Sequence, residues 1–135
     1  MEKVFVDTGG WAGLFGASDQ NHKKALAIFD GLKRVKALLY TSDYIIDETL
    51  TLAMVRGSHA QSVLVGEALF ESALVKIVHV APDHLKGSWE LFQKYKDKHF
   101  SFTDVTTLEI MKVLGIDKIF SFDREFKKVG VDLLE

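Results

Sequence analysis

Lys3-Val4-Phe5-Val6-Asp7 decides how this chain is read: three consecutive strand-favouring apolar residues, entered by a lysine and closed by an acid. A run without polar alternation is the mark of a strand covered on both faces, as in a parallel sheet. Four more short runs follow it, Ala37–Thr41, Val75–Val80, Lys118–Phe122 and Val131–Leu134. Helical stretches separate them. Trp11 to Gly16 reads as a short helix, and Asp19 to Lys36 places Ala25, Leu26, Ile28, Phe29 and Leu32 along one face. Ser42 is set to cap a helix that reaches Arg56 and stops at Gly57; Ser58 is set to cap another that reaches about Leu74. Pro82 opens a helix running towards Lys98, Thr103 to Gly115 forms another, and Asp123 to Lys128 a short last one. Strands alternating with helices need right-handed crossovers. The expected fold is therefore α/β, a three-layer α/β/α arrangement around a central, mostly parallel sheet of about five strands. Residues 1–135 are expected to form a single domain.

Composition narrows the chemistry. At 135 residues the chain is long enough to bury roughly two-thirds of its unfolded surface, so a core needs no covalent staple. Cysteine is absent, which removes disulfides, thiolate metal sites and cysteine nucleophiles together. The start, Met1-Glu2-Lys3, runs straight into a strand and lacks a signal-peptide pattern, and no apolar run reaches membrane-spanning length. A cytoplasmic protein with no membrane attachment is expected. The net charge of −2 does not advertise a nucleic-acid surface, but cations held in an acidic pocket invert the local sign and admit phosphates.

Four acids occupy telling places. Asp7 and Asp123 end strands, Asp104 opens a helix, and Glu48 lies inside one. Parallel sheets bind ligands beyond the carboxyl ends of their strands, where the strand order reverses. If the first and fourth strands are neighbours there, Asp7 and Asp123 face one another. Each acid also has a local explanation: Asp7 and Asp123 as helix caps, and Asp104 as the far half of a Ser101-x-x-Asp104 capping box. Glu48 is harder to explain that way, because it shares a helical stripe with Ile45 and Leu52 and lacks a basic partner at a pairing offset. Asp43 and Asp47 read as ordinary first-turn acids. The five histidines, His22, His59, His79, His84 and His99, show no zinc spacing, and the glycines after Asp7 form no phosphate loop. Lysines at 33, 36, 94, 96 and 98, with Arg34, are either solvated faces or steering charges for a polyanion.

Four stretches resemble the PIN domain family, in particular its small VapC-type toxins: VFVDTGGWAGLF around Asp7, YIIDETLTLA around Glu48, HFSFTDVTTLEIMK around Asp104 and IFSFDREF around Asp123. The resemblance spans the whole chain. It implies a metal-dependent endoribonuclease whose Asp7, Glu48, Asp104 and Asp123 hold one or two Mg2+ or Mn2+ ions. Water would then be the nucleophile in phosphodiester hydrolysis. Thr8, Thr103 and Ser121 would lie beside the acids as hydroxyl donors, or serve as caps and turns. The family likeness further implies an RNA substrate, a homodimer and a small antitoxin partner, with Trp11, Phe15, Phe70 or the helix from Ser58 to Leu74 as contact surfaces. Two other readings compete: a catalytically silent PIN-fold binding module, and a Mg2+-binding phosphoacceptor receiver. The receiver needs an aspartate at the end of the third strand, where Ala81 and Pro82 stand instead.

Overall fold

The computed structural model describes residues 2–135. Five strands, β1 (Lys3–Val6), β2 (Leu38–Ser42), β3 (Val75–Val78), β4 (Lys118–Phe120) and β5 (Asp132–Leu134), form one sheet in the order 3-2-1-4-5, and every pair is parallel. β1 lies in the middle, with Phe5 aligned to Tyr40 on one side and Ile119 on the other. Val4, Phe5 and Val6 are wholly inaccessible, which is why these three positions are apolar, while Lys3 at the partly exposed start is not. Each such side chain stabilises the fold by about 1.5–3 kcal/mol relative to exposure. The chain steps outward from β1 through β2 to β3, then returns to the other side of β1 as β4. That reversal places the switch point between β1 and β4, as expected.

Helices α1 (Thr8–Phe15), α2 (His22–Arg34), α3 (Asp43–Arg56), α4 (His59–Glu71), α5 (Pro82–Lys94) and α6 (Phe102–Leu114) flank the sheet, and a 3₁₀ helix spans Arg124–Val129. They pack as the pairs α1/α2, α3/α4 and α5/α6, with α1 also against α3. Ser42 and Ser58 cap α3 and α4 as their positions predict, their hydroxyls accepting from the amides of Ile45 and Gln61.

Several boundaries differ from the sequence reading, each for a local reason. Helix α1 begins at Thr8, through Gly9 and Gly10, instead of at Trp11. Gly10 passes so near β4 that a Cβ there would lie 2.6 Å from the Phe120 carbonyl oxygen, so tight packing has overridden helix propensity. Trp11 follows it into the core and donates from Nε1 to Thr41 Oγ1 at 3.2 Å; Thr41 in turn donates to the Val6 carbonyl at 3.1 Å. One tryptophan thus ties α1 to β2 and β1. Helix α5 ends at Lys94 rather than near Lys98. The strand β3 stops at Val78 because the Val80 amide turns away to donate to Asp43 Oδ1 at 3.0 Å.

Candidate active site

Asp7 stands immediately beyond β1, and its own amide still donates to the Phe120 carbonyl at 3.1 Å, so the β1–β4 ladder holds its backbone. It occupies the capping position of α1 without its side chain capping the helix. The residue is only 5 % exposed, Oδ2 accepts from Ser121 Oγ at 2.9 Å, and Oδ1 is buried with no partner. A buried acceptor left unpaired costs about 1–3 kcal/mol, so this oxygen has not been placed for stability. Burial, then the nearby Asp104 carboxylate, pushes the Asp7 carboxyl up to about 7; the Ser121 hydroxyl and the nearby Thr8 amide pull the other way without prevailing.

Ser121 joins two of the acids. Its hydroxyl donates to Asp7 and accepts from the Asp123 amide at 3.1 Å, which fixes the turn after β4 against the end of β1. Asp123 then caps the 3₁₀ helix, with Oδ1 accepting from the Glu125 amide at 3.0 Å. Its local role as a cap is therefore real, and Oδ2 makes no hydrogen bond among the described residues.

Asp104 also fulfils its local role. Ser101 Oγ accepts from the Asp104 amide at 3.0 Å, and Asp104 Oδ2 accepts from the Ser101 amide at 2.9 Å, a complete capping box. The box aims one carboxylate oxygen at the backbone. The carboxyl is nevertheless pushed above its usual range, first by burial and then, against the two Ser101 hydrogen bonds, by Asp123 and Glu48. Capping and membership of an acidic cluster coexist in this residue.

Glu48 differs from its expected setting. The stripe of α3 that enters the core is Ile45, Ile46 and Thr49, and Glu48 is exposed beside it. It lines an open cavity of about 520 Å³ with Tyr44, Asp47, Leu52 and Thr103. Exposed to solvent, the side chain needs no buried partner. It still raises the proton affinity of both Asp7 and Asp104 through charge repulsion. Thr103 is half-buried on the opposite wall, and its carbonyl accepts from Thr106 Oγ1 at 2.6 Å. Thr8 Oγ1 is buried and unpartnered beside Asp7.

Among the described residues, no three histidine or acidic side chains stand close enough to close around one ion as they are. The donor set nonetheless suits a hard divalent cation. It is all oxygen, it includes the orphaned Oδ1 of Asp7, and its members repel one another in a way that a cation would relieve.

A model of the PIN domain matches residues 4–132. This chain belongs to the PIN domain family. The 23S rRNA-specific endonuclease VapC20 of Mycobacterium tuberculosis is 32 % identical over 127 residues, covering 94 % of each chain. The VapC ribonuclease of Archaeoglobus fulgidus is 28 % identical, over 91 % of this chain and 78 % of that one. The crystal structure of VapC20, described as a sarcin–ricin loop cleaving toxin, superposes with a TM-score of 0.84 at 30 % identity, covering 95 % of both chains. FitAcB from Neisseria gonorrhoeae shares the PIN fold at a TM-score of 0.72 and 14 % identity.

In this PIN domain the missed residue is Asp43. Its first-turn position reads as a helix-dipole acid, yet Oδ1 accepts from both Tyr44 and Val80 amides, and Oδ2 lies 3.4 Å from His79 Nδ1. It fastens the end of β3 to the start of the helix that carries Glu48. No local signal in the sequence marks a contact between residues 43 and 80.

Proposed function

We propose that this PIN domain is a VapC-type toxin, a metal-dependent endoribonuclease that hydrolyses RNA phosphodiester bonds. The observation that carries the reading is the similarity, along nearly the full length, to an rRNA-specific endonuclease, with Asp7 buried and half-satisfied at the switch point. Structured ribosomal RNA is the first substrate class to test.

Asp7, Glu48, Asp104 and Asp123 would hold one or two Mg2+ or Mn2+ ions. When bound, such an ion supplies an activated water and neutralises charge on the phosphate. The chain's own residues prepare the place. Ser121 fixes one oxygen of Asp7 and leaves the other open; the Ser101 box fixes Asp104; Thr8 and Thr103 supply hydroxyls at the two sides of the cluster. Glu48, exposed to solvent, has room to turn towards an arriving cation or water. The silent-module alternative is disfavoured because all four acids are present, and the receiver because its acceptor aspartate is not.

A toxin of this kind pairs with an antitoxin. A second cavity, of about 780 Å³, runs between α1, α3 and α4, with Trp11, Phe15, Leu52, Leu64 and Val65 in its walls and the Asp19–Arg56 ion pair at its edge. Its apolar walls suit a segment of a small antitoxin. Homodimerisation belongs to the same proposal, with Phe70, 62 % exposed on α4, as a candidate contact.

The test is cleavage of total RNA by the purified protein with Mg2+, with Mn2+ and with chelator, beside the Asp7→Asn variant. Cleavage that requires both metal and Asp7 supports the proposal. Cleavage by the variant at the parent's rate removes Asp7 from the mechanism.

A further inference from the structure

Three acids stand in the first two turns of α3, and they divide by duty. Asp43 accepts from the Tyr44 and Val80 amides, Glu48 adds its charge to that of Asp7 and Asp104, and Asp47 does neither among the described residues. Helical spacing puts Tyr44, Asp47, Leu52 and Val55 on one face of α3 with Glu48, and together they line the open cavity of about 520 Å³. The other wall is Thr103, the residue before Asp104. The cavity therefore adjoins the acidic cluster, with Glu48 on one side and the neighbour of Asp104 on the other. Its size falls in the range of small-molecule sites, about 300–1,000 Å³.

The lining selects what fits. None of the residues around this cavity is basic, and two carboxylates there repel a phosphate. A nucleotide whose phosphate lies at the acidic cluster would thus turn its base, not its charge, into this space. Tyr44 brings an aromatic ring, Leu52 and Val55 bring apolar surface, and Asp47 brings a pair of hydrogen-bond acceptors. An ionised carboxylate only accepts, so it discriminates among bases. Guanine alone presents two adjacent donors, N1–H and the N2 amino group, on its Watson–Crick edge. Adenine and cytosine present one amino group beside an acceptor nitrogen, and uracil one N–H between two oxygens that a carboxylate repels. That edge is open only in an unpaired base, the form in which RNA sequence is commonly read.

We propose that this cavity is a guanine-reading subsite, in which Asp47 accepts from the N1–H and N2 amino group of an unpaired guanine next to the scissile phosphate while Tyr44 stacks on its ring. This rests on the ribonuclease reading and gives that site a base preference. Asp47 and Tyr44 decide which RNA is held, and the four acids of the cluster serve its cleavage.

The test uses protein carrying Asp7→Asn and fluorescein-labelled oligouridylates with a single central guanosine, inosine or uridine, their binding followed by anisotropy in Mg2+. Inosine differs from guanosine only in lacking the N2 amino group. Guanosine is expected to bind about tenfold more tightly than inosine, as the loss of one hydrogen bond to a charged group requires. Asp47→Asn added to the same protein should erase that difference at an unchanged melting temperature, since an amide pairs with N1–H and O6, which both bases share. Tyr44→Leu should weaken the guanosine and inosine strands alike, and Tyr44→Phe should not. Total-RNA cleavage by the unmodified protein, with its cut sites mapped, is run alongside and reports on the ribonuclease reading separately. Equal affinity for guanosine and inosine, or a difference that survives Asp47→Asn, overturns the subsite and, where the unmodified protein still cleaves, leaves the nuclease standing. Base-independent binding together with Asp47-dependent capture of arginine amide gives the cavity to a cationic side chain of a protein partner and also overturns it. Discrimination that depends on Asp47 without any cleavage keeps the subsite and removes the nuclease; absence of both cleavage and oligonucleotide binding removes both readings.

Discussion

The ends of β1 and β4 share one pattern, strand then aspartate then helix, yet the two aspartates are in opposite states. Asp123 is satisfied by the helix it caps. Asp7 sits at the head of a longer helix, does not cap it, and buries an unpaired oxygen. Identical local patterns therefore differ in how far local bonds satisfy the acid: Asp123 gives one oxygen to its cap and keeps the other free, whereas Asp7, buried beside other acids, caps nothing. A buried carboxyl that is expensive to ionise and keeps one oxygen unpaired is the mark of a functional site.

Substituting each aspartate is the most forceful way to break the comparison. Asp7→Asn is expected to lower metal-dependent cleavage by at least about a hundredfold, measured on total RNA, while raising the stability of metal-free protein at pH 8 by roughly 1–4 kcal/mol in urea unfolding. A neutral amide escapes the cost of an ionised buried carboxylate. Asp123→Ala should move stability the other way.

Ser121→Ala removes the hydroxyl common to both ends. Cleavage is expected to fall about 10- to 100-fold because Asp7 loses the contact that orients it, and stability to fall by about 1–2 kcal/mol. Rates at saturating metal, compared with rates at limiting metal, distinguish an orientation effect from a fold defect. Equal losses at both metal concentrations would point to the fold.

Proton linkage sharpens the contrast. Folded protein holds the Asp7 proton up to about pH 7, whereas an unfolded chain releases it near 3.8. Between those values the native state binds more protons than the unfolded state, so this group makes metal-free stability fall as pH rises, with the penalty complete above about 7. Stabilisation by Mg2+ or Mn2+ should correspondingly grow as pH rises through 7, since the cation competes with that proton. Thermal melts across pH 5–9, with and without metal, test this. A profile unchanged by Asp7→Asn would assign the slope to other groups.

The smallest effect on the stability of metal-free protein is expected at Asp123, whose local bond is a single cap. Asp123→Ala should cost about 1 kcal/mol as a lost cap, and Asp123→Asn close to nothing, because asparagine caps equally well. Chemical denaturation of both variants in chelator provides the check.

Much of this arrangement was legible from sequence. Unbroken apolar runs such as Val4–Val6 announce a buried parallel strand, and Ser42 and Ser58 announce the helices they cap. The positions of Asp7, Asp104 and Asp123 at element ends could be read for the same reason. What escaped were relations set by tertiary contact. Glycines beside Asp7 suggest close backbone packing, but the sequence starts the helix only at Trp11, and the approach of β4 explains why Gly9 and Gly10 belong to it. Glu48 sits on an apolar stripe in sequence, but the face of α3 that packs is the one carrying Ile45, Ile46 and Thr49, which leaves Glu48 exposed. Asp43 reaches the Val80 amide, 37 residues on, through a meeting of elements that no periodicity encodes. The cavity that Tyr44 and Asp47 share with Thr103 exists only where α3 meets the start of α6.

Gly10 has a consequence for genetics. A side chain at that position must displace the β4 backbone, and with it the turn that carries Ser121. In a population of cells selected to survive expression of this chain, inactivating changes should therefore gather at position 10 as well as at the acids. Suppressors of such changes should map to the turn after β4, revealing by heredity a contact that spans more than a hundred residues of sequence.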